Sequence, residues 1–254
     1  MIRVKNIFKS FDTLEVLKDI SVNFELGKTN LIIGRSGAGK TVLLKILIGL
    51  IRPTSGKVFY DSTDFYALNK KEVRTLRMEV GMLFQGSALF DSLSVEENIR
   101  FPLDMFTNMT SKEKTNRINY CLERVNLEGV NKRFPSEVSG GMQKRVGIAR
   151  SIVMKPKYLF CDEPNSGLDP KTSIMIDRLI QEITRENNIT TIINTHDMNS
   201  VMEIGEKIIL LQDGFLAWEG SSKEVLEDGS GTIQEFIFAS PFLQKLKDMA
   251  IKRL

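Results

Sequence analysis

Gly34-Arg35-Ser36-Gly37-Ala38-Gly39-Lys40-Thr41 follows the pattern G-x-x-x-x-G-K-[ST]. Each residue type in it has a use against a chain of phosphates. Glycines let backbone N–H groups turn toward phosphate oxygens with no Cβ in the way. Lys40 is long enough to reach the outer phosphates, and the hydroxyl of Thr41 suits Mg²⁺. All eight residues are therefore candidates for holding a nucleoside triphosphate. Further along, Asp162 and Glu163 follow the apolar run Tyr158-Leu159-Phe160-Cys161. Asp162 at a strand tip suits Mg²⁺ through water, and Glu163 is placed to polarise an attacking water.

Other residues are open to two readings each. Gln85 closes an apolar run and is either a polar strand end or a contact for Mg²⁺ and water. Ser139-Gly140-Gly141 precedes an apolar helical pattern and is either an N-cap with flexible glycines or a second anion site. Asp169 is a nucleotide contact or the cap of a following helix. His196 is the sole histidine of the chain. It stands after a buried strand, at the edge where open α/β sheets place ligands, so it is read as functional rather than structural. Phe11 precedes the phosphate loop and either joins the core or stacks on a base.

These groups need elements to hold them. Residues 29–33 read as a buried strand entering the phosphate loop, and residues 42–48 as a helix leaving it. Before them, residues 2–7, 14–17 and 20–24 alternate apolar and polar residues, as a small antiparallel sheet does. Phe11 is expected in a loop between them. Residues 57–60 and 64–66 read as a hairpin and residues 80–84 as a buried strand. From Ser94 to Met154 the pattern turns helical, opening on a capping box at Ser94-Val95-Glu96-Glu97. Residues 158–162 and 189–195 read as parallel strands, 173–183 as a helix, and 208–211 with 215–218 as a closing hairpin. The fold class is α/β: a phosphate-loop NTPase core of RecA-like type, an N-terminal antiparallel β subdomain and an inserted helical subdomain at about 91–157. Residues 1–227 form the nucleotide-binding domain, and 228–254 a linker and helical tail. Ser240-Pro241 opens the tail helix. That helix either docks on its own domain, lies on a membrane surface or crosses to a second copy.

The 254 residues are 42% hydrophobic and 26% charged, with a formal net charge of +3. Basic residues are interspersed with acidic ones, so no nucleic-acid footprint is expected. The longest apolar run, 42–51, contains Lys45 and falls short of the ~20 residues a spanning helix needs. The chain is thus expected to be soluble, with any membrane role carried by partners. Cys121 and Cys161 show no metal or redox spacing and are expected as free thiols.

Taken together and in this order, the motifs resemble the ATP-binding cassette family of transporter ATPases, from Ile2 to about Glu227. The resemblance implies that Gly34 to Thr41 is the Walker A motif, Gln85 the Q-loop, and Ser139-Gly140-Gly141 the family signature. It likewise implies that Asp162 and Glu163 are Walker B and the catalytic glutamate, Ser166 to Asp169 the D-loop, and His196 the switch histidine. ATP and Mg²⁺ are the implied cofactors, with Thr41, Gln85 and Asp162 at the metal and Lys40, Gln85, Glu163 and His196 serving catalysis. Phe11 falls where the family stacks an aromatic on adenine. The signature departs from the usual form at Val138 and Met142. The family also implies a head-to-tail homodimer with Ser139 to Gly141 acting on the partner's ATP, and separate permease subunits at the cytoplasmic face of a bacterial inner membrane. Residues 88–92 (Ala-Leu-Phe-Asp-Ser), Phe101-Pro102-Leu103 and Met142 are similar to the ATPase of Mla phospholipid-transport systems. That implies a lipid-binding accessory subunit. Amino-acid importers and lipoprotein-release ATPases share much of this pattern. Non-transport cassettes of DNA repair or translation commonly carry two cassettes or a coiled-coil insertion, and neither is present.

Overall fold

Thr29-Asn30-Leu31-Ile32-Ile33 and Thr190-Thr191-Ile192-Ile193-Asn194 are buried at every position. Strands without a solvent face belong inside a parallel sheet covered on both sides. A computed structural model places them there; it describes residues 1–228 and 231–238. In chain order the strands are β1 (Ile2–Phe11), β2 (Leu14–Phe24), β3 (Thr29–Ile33), β4 (Ser55–Tyr60), β5 (Thr63–Asp64), β6 (Val80–Leu83), β7 (Tyr158–Asp162), β8 (Thr190–Asn194), β9 (Lys207–Gln212) and β10 (Phe215–Gly220). The helices are α1 (Lys40–Leu47), α2 (Lys70–Met78), α3 (Val95–Phe106), α4 (Ser111–Arg124), α5 (Gly140–Ile152), α6 (Pro170–Glu186), α7 (Met198–Ile204), α8 (Glu224–Glu227) and α9 (Thr232–Ile237).

One sheet runs β10-β9-β3-β8-β7-β6, parallel except for the β9–β10 hairpin. The other is antiparallel, in the order β2-β1-β4-β5. Alternation along β3 divides the core. Leu31 and Ile33 point into a cluster with Val95, Ile99, Ile118 and Val146 of the helical region. Ile32 points the other way, into a cluster with Ile2, Val22, Phe24 and Leu43. The sheet is thus clamped between the antiparallel layer and α1 on one face and helices on the other. Helices α3, α4 and α5 fill the stretch between β6 and β7, each with a side-chain cap at its start: Ser94, Thr110 and Ser139.

Several expectations change in detail. Residues 14–24 form one strand rather than two, because Asp19 takes φ 55° and bulges it. Asn6, itself at φ 48°, lies across the sheet and donates through Nδ2 to Asp19 Oδ1 at 2.7 Å. Phe11 ends β1 instead of lying in a loop, paired with Leu14 across the tight Asp12-Thr13 turn. The second hairpin strand stops at Asp64, whose carboxylate caps a 3-10 turn at Phe65–Ala67 by accepting from Tyr66 N–H. Helix α2 adds an element with no buried residue, held by an Asn69–Glu72 capping box. Both cysteines are buried free thiols. Among the described residues no helix is long and apolar enough to cross a membrane. The tail helix expected from Ser240 lies outside the described residues.

Candidate functional site

The C-terminal ends of β3, β7 and β8 converge, and the phosphate loop leaves from β3 between its neighbours. Gly34, at φ 149°, lies so close to β9 that a Cβ would stand 2.3 Å from the Leu211 carbonyl oxygen. Gly39, at φ 98°, starts α1 and faces Val16 and Leu17, where a Cβ would meet Leu17 Cδ2 at 2.6 Å. These two glycines let the loop turn against the strands beneath it. Arg35, Ser36 and Gly37 are exposed at its crest, while Ala38, Gly39 and Lys40 are buried.

Lys40 folds back over this loop, Nζ donating to the Gly34 carbonyl at 2.8 Å and to that of Arg35 at 3.1 Å. An ammonium has three protons, so one is left for a ligand. Burial holds the Lys40 pKa below the ordinary lysine value, against the opposing charges of Glu163 and Asp162.

Asp162 ends β7, and Glu163 follows with its backbone at φ 47°. The Glu163 carboxylate is held from two sides. Gln85 Nε2 donates to Oε2 at 2.8 Å, and His196 Nδ1 stands 3.0 Å from Oε1. A carboxylate only accepts, so a neutral His196 carries its hydrogen on Nδ1 and leaves Nε2 as an acceptor. Gln85 Nε2 also reaches Ser166 Oγ at 3.3 Å. Asn194, which ends β8, donates through Nδ2 to Asp162 Oδ1 at 2.6 Å and to Thr41 Oγ1 at 3.2 Å. The groups expected to meet do so: Lys40, Thr41, Asp162, Glu163, His196 and Gln85 lie around one end of the sheet. A cavity of about 640 Å³ is lined by Gly34 to Gly37, Gly39 to Val42, Glu163 and His196, with Val16 and Phe236.

The remaining expected residues stand elsewhere. Ser139 is the N-cap of α5, accepting from Met142 N–H at 3.3 Å. Gly141 abuts the first turn of α6, where a Cβ would lie 2.9 Å from Thr172 Cγ2. Asp169 caps α6 through Thr172 N–H at 3.0 Å, and that side chain's hydrogen bonds hold its pKa down. Neither these residues nor Phe11 line the phosphate-loop cavity. Phe11 is 42% exposed, with Lys9 Nζ 4.6 Å above its ring.

Four residues near the site carried no motif. Val16 and Phe236 line the cavity as apolar side chains whose sequence surroundings do not mark them. Lys144 is buried on α5 and donates to the Gln85 carbonyl; burial lowers its pKa. Asn194 had a signal: a polar residue where a buried strand pairs in register with Asp162.

A hydroxyl and a carboxylate held on one amide are hard oxygen donors, which fit Mg²⁺. The described residues contain no cluster of three His, Cys, Asp or Glu for a cation.

Comparison with known proteins gives one answer at three levels. The ABC transporter family model matches residues 17–166. The probable ribonucleotide transport ATP-binding protein mkl of Mycobacterium leprae is 36% identical over 236 residues, covering 93% of this chain and 68% of that protein. Methionine import ATP-binding protein MetN 1 of Bacillus thuringiensis is 36% identical over 242 residues, covering 93% and 71%. Among solved structures, a dimeric post-hydrolysis state of the ATP-binding cassette MJ0796 bound to ADP and Pi superposes with a TM-score of 0.79 at 32% identity, covering 87% and 99%. CbiO1 from Clostridium perfringens, part of the ABC transporter complex cbiONQ, superposes at 0.84 with 29% identity, covering 97% and 98%.

Proposed function

The chain belongs to the ABC transporter family as an ATP-hydrolysing cassette, and we propose that it powers a separate permease in phospholipid transport between membranes. Residues 1–227 are the nucleotide-binding domain, with the helices of about 91–157 as its moving part. One observation carries the catalytic reading: Gln85 and His196 both hold the Glu163 carboxylate at the mouth of the phosphate-loop cavity.

The mechanism follows from charge and reach. Backbone N–H groups of 34–41 and the free proton of Lys40 take the phosphates, with the N-terminus of α1 behind them. Thr41 and Asp162, with Gln85, would hold Mg²⁺, which supplies charge neutralisation at the phosphate oxygens. Glu163 accepts the proton of the attacking water. Each Glu163 oxygen carries one of the two present contacts and keeps a lone pair free, so Gln85 and His196 orient the carboxylate while it accepts from the water. Phosphoryl transfer needs little more than positioning and charge stabilisation. Ser139 to Gly141 present a helix N-terminus remote from their own chain's cavity. In this account they act on ATP held by a second copy, which Asp169 also approaches. Phe11 and Val16 are assigned to the adenine side.

The phospholipid reading rests on residues 88–92 and 101–103. Phe90 and Phe101 are exposed, with ring centroids 5.0 Å apart, on the chain segment that follows Gln85. A permease seated there would sense Gln85 directly. The likeness to MetN supports a rival reading, an amino-acid importer. Two tests separate them. In the genome, a permease gene beside an exported lipid-binding protein supports the first, and a periplasmic amino-acid-binding protein the second. In the reconstituted complex, phospholipid-loaded accessory protein should stimulate hydrolysis and methionine should not; the reverse would overturn the proposal.

A further inference from the structure

Asn194 is fully buried at the end of β8, directly across from Asp162 in the parallel pairing. Three groups of the site meet on it. Its Nδ2 donates to the Asp162 carboxylate and to the Thr41 hydroxyl, at 2.6 and 3.2 Å. Its backbone carbonyl accepts from Glu163 N–H at 2.8 Å. The amide can face only one way, because turning it over would set Oδ1 against a carboxylate oxygen. Oδ1 is then buried with no partner. A side chain kept for packing would not carry that penalty, since leucine has the same branching at Cγ with no polar atom to orphan.

We propose that Asn194 is the positioning residue of the metal end of the nucleotide site, holding Thr41 and Asp162 at the spacing that a divalent cation needs. The inference rests on the ATPase reading above. The bond from Nδ2 occupies one lone pair of the Thr41 hydroxyl and one oxygen of Asp162. It leaves the second lone pair and Asp162 Oδ2 for the cation and its water. Without Asn194 the Asp162 carboxylate can turn about its soft terminal torsion, and the two donors no longer present themselves together. Partners that orient metal ligands in this way typically contribute 10–100-fold to metal affinity. The amide itself touches neither metal nor phosphate.

The test is binding of a fluorescent ATP analogue to the full chain, first in EDTA and then across a Mg²⁺ titration. Asn194→Leu should leave affinity in EDTA within about twofold of wild type and raise the Mg²⁺ midpoint by about 10–100-fold. Asn194→Thr offers a single hydroxyl proton, too few to hold both partners, and suits a strand if the leucine variant misfolds; it should shift the midpoint in the same direction. An unchanged midpoint in a folded variant would overturn the proposal. So would an equal loss with and without Mg²⁺, which would mark Asn194 as structural only. A wild-type protein whose nucleotide affinity ignores Mg²⁺ would overturn the metal assignment itself, and this inference with it.

Discussion

Glu163 carries its carboxylate on a left-handed backbone at φ 47°, tied by its N–H to the Asn194 carbonyl at 2.8 Å. A non-glycine residue in that region stores strain of order 1–2 kcal/mol, kept only where the surroundings impose it. The strain aims the side chain at Gln85 and His196. Glu163→Gln keeps the volume and removes the base. Steady-state hydrolysis should fall by ~10²–10⁴-fold while ATP binding persists; turnover near wild type would remove Glu163 from its role. A second carboxylate is perturbed for a different reason. Asp177 is 2% exposed, and burial pushes its pKa up to about 6, against hydrogen bonds from Ser200 and Asn165 and with help from the charges of Asp197 and Glu203. Unfolded, it titrates near 3.8. Between those values the native state binds the proton more tightly, so this group's contribution to stability falls as pH rises. The full cost, about 3 kcal/mol, stands above pH 6 and is absent below pH 3.8. Asp177→Asn should gain stability relative to wild type as pH climbs from 4 to 7, read by denaturant unfolding without nucleotide. Parallel curves for the two proteins would contradict this. At this scale the sequence marks the residues that conform to a motif, such as Lys40, Asp162 and His196. It is mute on Lys144 and Asp177 and marks Asn194 only as a polar residue in a buried strand; their importance depends on what the fold sets opposite them.

Helix α5 ties distant parts of the site together. Ser139 caps its start, Lys144 holds the Gln85 carbonyl, and Arg150 donates to the carbonyls of Ser87 and Ala88 at 2.6 and 2.7 Å. Ser87 and Ala88 both lie at positive φ, 62° and 47°. The chain after Gln85 is therefore held in an unfavourable turn by cations from one helix. Arg150→Met should loosen that turn alone. Amide exchange at residues 86–90 should quicken by about 10–100-fold, the worth of about one charged hydrogen bond, while β3 and α1 keep their protection. Unchanged exchange at 86–90 would mean that the turn holds itself. Legibility among elements follows their burial. The all-buried β3 and β8 and the capped α3 stand out in the sequence. Helix α2 buries nothing, so no apolar period announces it, and only Asn69 and Glu72 mark its start. The single long β2 is hidden by its bulge at Asp19, which breaks the alternation on which a strand is recognised.

At the scale of the whole molecule, the phosphate-loop cavity and the Ser139-Gly140-Gly141 helix start do not meet within one chain. Half of the charge stabilisation expected for phosphoryl transfer is then missing from a lone copy. The account therefore requires two chains head to tail, each completing the other's site. Its sharpest test is hydrolysis by a mixed dimer in which one chain carries Lys40→Ala and the other Ser139→Arg. Both defects then fall on one composite site, and the other site keeps a wild-type loop and a wild-type helix start. The account predicts that the mixed dimer retains substantial turnover while each homodimeric variant is nearly silent. A mixed dimer as inactive as either parent would contradict it, since each chain would then be using its own Ser139 on its own ATP.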